Sequence, residues 1–302
     1  MAVTIMRQQS MPSLAPGLTA KIESVYIQPL SPADETEVLE FLSIRPIHTV
    51  FLASLIRDNG MVSSCHRGSF FGCRNKNGRL EGVALIGHAT IIETESEECI
   101  KAFAHLAKNC SPAPAHLIRG EQKKVESFWS YYAEGERAPR LLCRELLVER
   151  TSAPVNFPAV PGLRLATLAD LEPVMNVNAS MAFAEGGVNP LTRDPEGFRE
   201  RSARRIKQGR NWVWIENDRL IFKADIIAKT TEVSYLEGVY VDPEHRGKGY
   251  GLRCMSQLTK LLLERTGCIC LTVNVKFSDI QTFYSKAGYK FRSHYDTIYL
   301  QE

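Results

Sequence analysis

Residues 236–275 read LEGVYVDPEHRGKGYGLRCMSQLTKLLLERTGCICLTVNV. Val239, Tyr240 and Val241 have the apolar, β-branched and aromatic character of a strand, and Asp242-Pro243 ends it, because proline has no N–H to continue a ladder and restricts the residue before it. The turn that follows, Arg246-Gly247-Lys248-Gly249-Tyr250-Gly251, places three glycines at alternate positions. They free the backbone for conformations closed to other residues and let its amides approach a ligand. From Leu252 the apolar residues Leu252, Met255, Leu258 and Leu262 recur at helical spacing, with Leu261 on the flank and Arg253, Gln257, Lys260 and Glu264 on the other side. A helix is therefore expected to open at the glycine turn and to end near Gly267, and Cys268 to Val273 is expected to be a buried parallel strand after the crossover. The unpaired first amides and the dipole of that helix favour an anion, with Arg246 and Lys248 adding full charges. A pyrophosphate suits such a turn.

The spacing R-x-x-G-x-G fits neither the P-loop nor the dinucleotide fingerprint. It resembles the acetyl-CoA signature of the GNAT superfamily of N-acetyltransferases, and the match includes the preceding V-x-V-D-P-E strand end. Further likeness lies in M-A-F-A-E at 181–185, W-V-W-I-E-N-D-R-L at 212–220 and F-K-A-D at 222–225. The wider sequence resembles bacterial GNAT proteins that carry an extra N-terminal domain of unknown function. The link to that companion domain is looser, through P-x-x-x-x-F-L-A-S at 46–54.

The whole chain has 302 residues, 44% of them apolar and 24% charged, with a net charge of +3. That length suits two domains of roughly 150 residues. The charge is too balanced to argue for a nucleic acid or a membrane as partner. No apolar run approaches the roughly 18 residues of a membrane span, and no signal-peptide pattern opens the chain, so a cytoplasmic location is expected. Eight cysteines show no C-x-x-C pair and no regular spacing, which points to neither a disulfide framework nor a zinc site; no metal is expected.

Residues 1–20 read as a mobile tail. Ser24 to Ile27 reads as a strand, Ser31 with Asp34 or Glu35 as a helix start, and Val50 to Leu55 as part of a second helix that ends near Asn59-Gly60. Phe70 to Cys73, the turn Asn77-Gly78 and Leu80 to Ile86 suggest a hairpin. Helical patterns follow near 98–107 and 122–133, with strand-like Ala115 to Ile118 and Leu141 to Val148. Residues 150–162 hold three prolines and read as a linker. Beyond it the order restarts with Leu163 to Ala166, Thr167 as a cap, helices across 168–183 and 195–208, and strands joined at Asn217-Asp218. The expected fold is a mixed α/β (α+β) sheet in tandem GNAT-like domains, a degenerate one at 21–149 and a catalytic one at 163–302. The degeneracy is read from Glu93, Glu95, Glu97 and Glu98, which stand where the first domain's phosphate turn would be.

The resemblance implies an acetyl-CoA-dependent N-acetyltransferase that passes the acetyl group directly to a primary amine on a small molecule or a protein. Backbone N–H groups near Val239, Tyr240 and Val241 would then face the acetyl group, the pyrophosphate would lie over residues 246–251, and Asn274 would contact the pantetheine arm. The family's usual second asparagine is Phe277 here. Glu237 is expected to share a face with Val239 and Val241 through period-two alternation. It is then either a general base or the partner of a group such as Lys223. Tyr284, in a short helix with a Ser278/Gln281 capping pattern, either packs in the core with Ile280, Phe283 and Ala287 or, as the resemblance to Y-x-K-x-G-[FY] implies, protonates the leaving sulfur. His245, Cys65, His66 and Cys73 read as bystanders, and Trp212 and Trp214 as packing residues, with a place in the acceptor pocket as the alternative for one of them. The alternative for the whole chain is a regulatory protein that binds acyl-CoA without turnover. The sequence is silent on the acceptor's identity and on oligomeric state.

Overall fold

The computed structural model describes residues 20–22, 24–110, 115–135, 137–154 and 158–300. All but the last residue of the expected tail lies outside them, and Ala20 begins the first strand. The N-terminal half runs β1 (Ala20–Ile22), β2 (Val25–Pro29), α1 (Glu35–Ser43), α2 (Pro46–Asn59), β3 (Gly68–Asn75), β4 (Leu80–Gly87), β5 (Ala89–Thr94), α3 (Glu97–Cys110), β6 (Leu117–Glu121), α4 (Gln122–Ala133) and β7 (Leu141–Arg150). The C-terminal half runs β8 (Leu163–Leu165), α5 (Leu171–Gly186), α6 (Pro190–Arg193), α7 (Pro195–Lys207), β9 (Asn211–Glu216), β10 (Arg219–Lys229), β11 (Val233–Val241), α8 (Tyr250–Leu263), β12 (Cys268–Asn274), α9 (Ser278–Lys286) and β13 (Lys290–Tyr299). Apart from β1 and the extra short helix α6, the two halves share one order of elements.

The same device opens the helical layer in each half. Asp34 Oδ2 accepts from Ser31 N (2.9 Å) and Oγ (2.7 Å), and Asp170 Oδ2 accepts from Thr167 N (2.7 Å) and Oγ1 (3.1 Å). Each side-chain bond satisfies a donor that the following turn leaves without a partner. The β9–β10 hairpin turns on Asn217 and Asp218, both left-handed with φ of 49° and 60°, as a two-residue turn requires. One expectation fails here: α8 ends at Leu263, ahead of Gly267, because the chain already turns at Glu264 to Thr266.

All strands among the described residues join one sheet in the order β1-β2-β3-β4-β5-β6-β13-β7-β12-β11-β10-β9-β8. The centre of that order shows an exchange. β13, the last strand of the C-terminal half, pairs with β6, whereas β7, the last strand of the N-terminal half, pairs with β12, and β7 and β13 pair with each other. Packing follows the exchange. Ile298 and Leu300 are buried with Phe103 and Phe128 in the first lobe, and Val148 is buried with Met255 and Leu258 in the second. The divisions 21–149, 150–162 and 163–302 thus describe the order along the chain, while each lobe in space contains one strand from the other half. Helix α2 reinforces the junction, with Val50 buried against Ala228, Val233 and Tyr235. No helix among the described residues is long and apolar enough to cross a membrane.

Candidate functional site

β11 and β12 pair only from Val233–Cys268 to Tyr235–Cys270. Beyond that point β12 continues along β7 and β11 along β10, so the two parallel strands part and leave the β12-facing edge of residues 237–241 unpaired in the ladder. The parting coincides with a bulge. Lys223 pairs with Tyr240 but Asp225 pairs with Glu237, so β11 carries one residue more than β10 across this step. Gly238 takes φ of 60°, and its carbonyl accepts from Lys223 Nζ at 2.6 Å. A bulge shifts the side-chain alternation by one residue.

The expectation that Glu237 shares a face with Val239 and Val241 is therefore corrected. The valines pack toward the core built by α8 and α9, and Glu237 opens on a cleft beside Arg119. Lys223 is not its partner either. That ammonium is fully buried and bonds Asp225 Oδ2 at 3.0 Å, while Asp225 Oδ1 accepts from Asn211 Nδ2 at 2.7 Å. Burial lowers the Lys223 pKa and the Asp225 carboxylate opposes that loss. Lys223 thus pins the bulge.

The glycine turn stands beyond the end of β11. Asp242 anchors it: Oδ1 accepts from Glu244 N and meets His245 Nδ1, each at 3.0 Å, and Oδ2 accepts from Arg219 Nε at 2.9 Å. Gly247 and Gly249 are left-handed, with φ of 72° and 80°, and a Cβ on either would meet no atom within 4 Å. Space in front of the turn is open, and residues 246–249 are exposed. Arg246 Nε donates to Val241 O at 3.0 Å, which ties the first basic side chain to the strand end. At Gly251 a Cβ would come within 3.0 Å of Phe283 and 3.1 Å of Val241, so this glycine serves the close approach of helix to strand. Tyr250 lies edge-on to Trp214, with ring centres 5.2 Å apart.

Tyr284 is buried in α9 among Cys254, Met255 and Leu258, edge-on to Phe283 and Tyr289. Burial raises its phenol well above the usual value, so the hydroxyl keeps its proton. The Ser278/Gln281 capping box does not form: Phe277 is the N-cap, and Gln281 Nε2 donates to Val275 O at 2.9 Å. Asn274 ends β12, where its Oδ1 accepts from Lys276 N at 2.9 Å and shapes the turn into α9.

The cleft at Glu237 has a volume of about 370 Å³ and draws its walls from both halves, including Arg67, His88 and Arg119 from the first and Glu185, Glu237 and Tyr299 from the second. The sequence did not single out Arg119 or Glu185. Arg119 Nη2 donates to Tyr235 Oη (2.6 Å) and Thr272 Oγ1 (2.8 Å), and Nη1 reaches Glu237 Oε1 at 3.5 Å. Burial opposes its charge, but Tyr235, Glu145, Glu237 and Glu185 outweigh that cost and keep it protonated. Glu145 accepts from Thr272 Oγ1 (2.6 Å) and Thr297 Oγ1 (2.7 Å). Glu185, open to the cleft yet set in its concave wall, has its carboxyl pushed up to about 7 by desolvation and by the charges of Glu237 and Glu145. A carboxyl that changes state near neutrality is suited to receive a proton.

Residues 181–289 match the model of the acetyltransferase (GNAT) family. No curated protein matches the sequence. Among solved structures, a Drosophila protein superposes with a TM-score of 0.67 at 10% identity, covering 91% of this chain and 98% of that one. A GNAT-family acetyltransferase from Colwellia psychrerythraea gives 0.54 at 13%, covering 91% and 99%. A tandem GNAT protein from the clavulanic acid biosynthesis pathway gives 0.54 at 12%, covering 92% and 99%. At these identities the likeness is one of fold, and it extends over both halves. The GNAT match thus covers residues 181–289, and the chain as a whole has the tandem form of that fold.

Proposed function

We propose that this tandem GNAT chain is an acetyl-CoA-dependent N-acetyltransferase that transfers the acetyl group directly to a primary amine. The observation that carries the proposal is the continuous run from the parted edge of β11 to the open glycine turn of α8, with a carboxylate-lined cleft opening at Glu237 on the same strand. Open space before Gly247 and Gly249, flanked by Arg246 and Lys248, fits a pyrophosphate at a helix start. Acetyl-CoA would supply an activated thioester.

The chain's own residues would do the rest. Backbone amides on the β12-facing edge between Val239 and Val241 would hold the thioester oxygen and stabilise charge developing on it. Glu237 would hold the incoming ammonium, and Glu185 would take its proton, freeing the nitrogen lone pair to bond the acetyl carbon. As the carbon–sulfur bond breaks, the Tyr284 phenol would give its proton to the departing sulfur, and the second proton lost by the acylated nitrogen would restore the phenol through solvent. Arg119 touches Glu237 and would act as a positioning residue for that carboxylate.

Release of free CoA from acetyl-CoA, measured over a panel of primary amines, tests the proposal. Amine-dependent release that falls in Glu185→Gln supports it. Tight CoA binding without release for any amine would identify the chain as an acyl-CoA-binding regulatory protein instead.

A further inference from the structure

A second opening, of about 290 Å³, lies between residues 64–67 of the N-terminal half and α7, and it is lined by Arg67, Arg201 and Arg204 together with Glu200. Arg67 also lines the 370 Å³ cleft that holds Glu185 and Glu237. The two spaces thus share one guanidinium, with carboxylates toward one end and arginines toward the other. Arg201 and Arg204, three positions apart on α7, project from one helix face. Arg201 Nη1 meets Asp194 Oδ2 at 2.9 Å. Arg204 Nη1 donates to Cys65 Sγ at 2.8 Å and Arg67 Nη2 to His88 Nδ1 at 3.1 Å, and among the described residues no carboxylate forms an ion pair with either.

His88 lies in the same basic surroundings. Burial and the charges of Arg67, His116, Arg193 and Arg201 push its pKa down to about 4, which leaves a neutral ring to accept from Arg67. Converging guanidiniums with so few counter-charges repel one another, and an anion relieves that repulsion while using the planar fork of each side chain.

We infer that the acceptor carries an anionic group, a carboxylate or a phosphate monoester, that docks on Arg67, Arg201 and Arg204 while its amine lies at Glu185 and Glu237. This inference rests on the transferase proposal for the amine end, and the arginine end is tested apart from turnover. The full chain, saturated with CoA, is titrated by calorimetry with two matched pairs: β-alanine against β-alaninamide, and phosphoethanolamine against ethanolamine. The anionic member of at least one pair binds at least about tenfold more tightly, as charge-assisted hydrogen bonds imply. A preference in the first pair assigns a carboxylate, and one in the second a phosphate. Arg67→Gln combined with Arg204→Gln brings the ratio close to one, and Arg204→Gln alone, at an exposed position, lowers it where the double variant melts early. Equal affinities within both pairs, no binding of any of the four, or a ratio that survives the substitutions overturns the inference. CoA release without anion preference would leave the transferase standing and remove this inference; anion preference without release would remove the transferase reading, and the acceptor with it, and leave only an anion site at the arginines.

Discussion

The two halves each contain a parallel strand pair that stops after three residue pairs, β5 with β6 and β11 with β12. In the first half the space beyond the last pair is filled. Glu93 is buried and bonds Arg45 Nη1 at 2.8 Å and Lys124 Nζ at 3.1 Å, and Glu121 meets Arg45 Nη2 at 2.6 Å. His48 Nδ1 meets Tyr295 Oη at 2.9 Å, and burial drives that histidine down to about 4, so it stays neutral. What remains is a cavity of about 20 Å³, room for one water. Helix α3 then begins with Glu97 and Glu98, with no glycine before it. In the second half the corresponding edge runs to two left-handed glycines with open space in front. The same backbone arrangement is therefore neutral with respect to function: side chains close one opening and leave the other accessible.

The most drastic way to break this comparison is to separate the halves. A fragment of residues 155–302 lacks β7, which leaves β12 with a bare edge and β13 without either neighbour. It is expected to lose cooperative folding altogether, as followed by circular dichroism and gel filtration. A folded monomeric fragment with native CoA affinity would refute the structural importance of the exchange. Next in size is Gly249→Val, which forces a β-branched residue into φ of 80° and puts its side chain where phosphate would approach. CoA affinity should fall more than about hundredfold in calorimetry, because both strain and exclusion act there. Wild-type chain should bind one CoA, and two equivalent sites would erase the distinction between the openings.

Glu185→Gln should lower kcat/KM by roughly a hundredfold and remove the acidic limb of the pH profile near 7. Stability gives an independent readout. With the folded pKa raised from 4.5 to about 7, the folded chain holds a proton between those values that the unfolded chain has released, so stability falls as pH rises through that window. Glu185→Gln removes the fall: the variant should melt above wild type at pH 8, with the difference gone below 4.5. Tyr284→Phe should reduce turnover about tenfold and leave CoA affinity nearly unchanged, since the ring still packs. Unchanged turnover would make Tyr284 a core residue only. On the closed side, Glu93→Gln leaves Arg45 and Lys124 short of a counter-charge. It should cost about 1–3 kcal/mol in denaturant titration without changing CoA affinity.

Much of the second opening was legible in the sequence, because glycine, proline and basic residues at fixed offsets have local consequences. The helix expected at 122–133 and the turn at Asn217-Asp218 were legible for the same reason. What escaped was non-local. The run Leu141 to Arg150 says buried strand but not whose strand, since alternation encodes a face and never a partner. The bulge left a trace in Gly238, a glycine inside a strand, which signals lost alternation more often than weak packing. Arg119 left one as well: an arginine between Ile118 and Gly120 in a short strand needs several partners if it is buried. Ser31 with Asp34 and Thr167 with Asp170 were a repeat visible in four residues, too short to register as identity across the halves.

The exchanged strands also set a timetable. The sheet of the first lobe lacks its neighbour for β6 until residues 290–299 have been made, although every other strand of that lobe is complete once Glu121 has been added. During synthesis the chain must carry an open strand edge and an incomplete core, the condition in which chains are prone to pair with the wrong partner. Long-range pairing of this kind also slows folding, because loop closure must precede the contacts that reward it. Neither lobe can then melt alone, and heat should take the molecule apart in a single calorimetric transition. A chain truncated after residue 289 would be left waiting, with its first lobe as unfinished as its second.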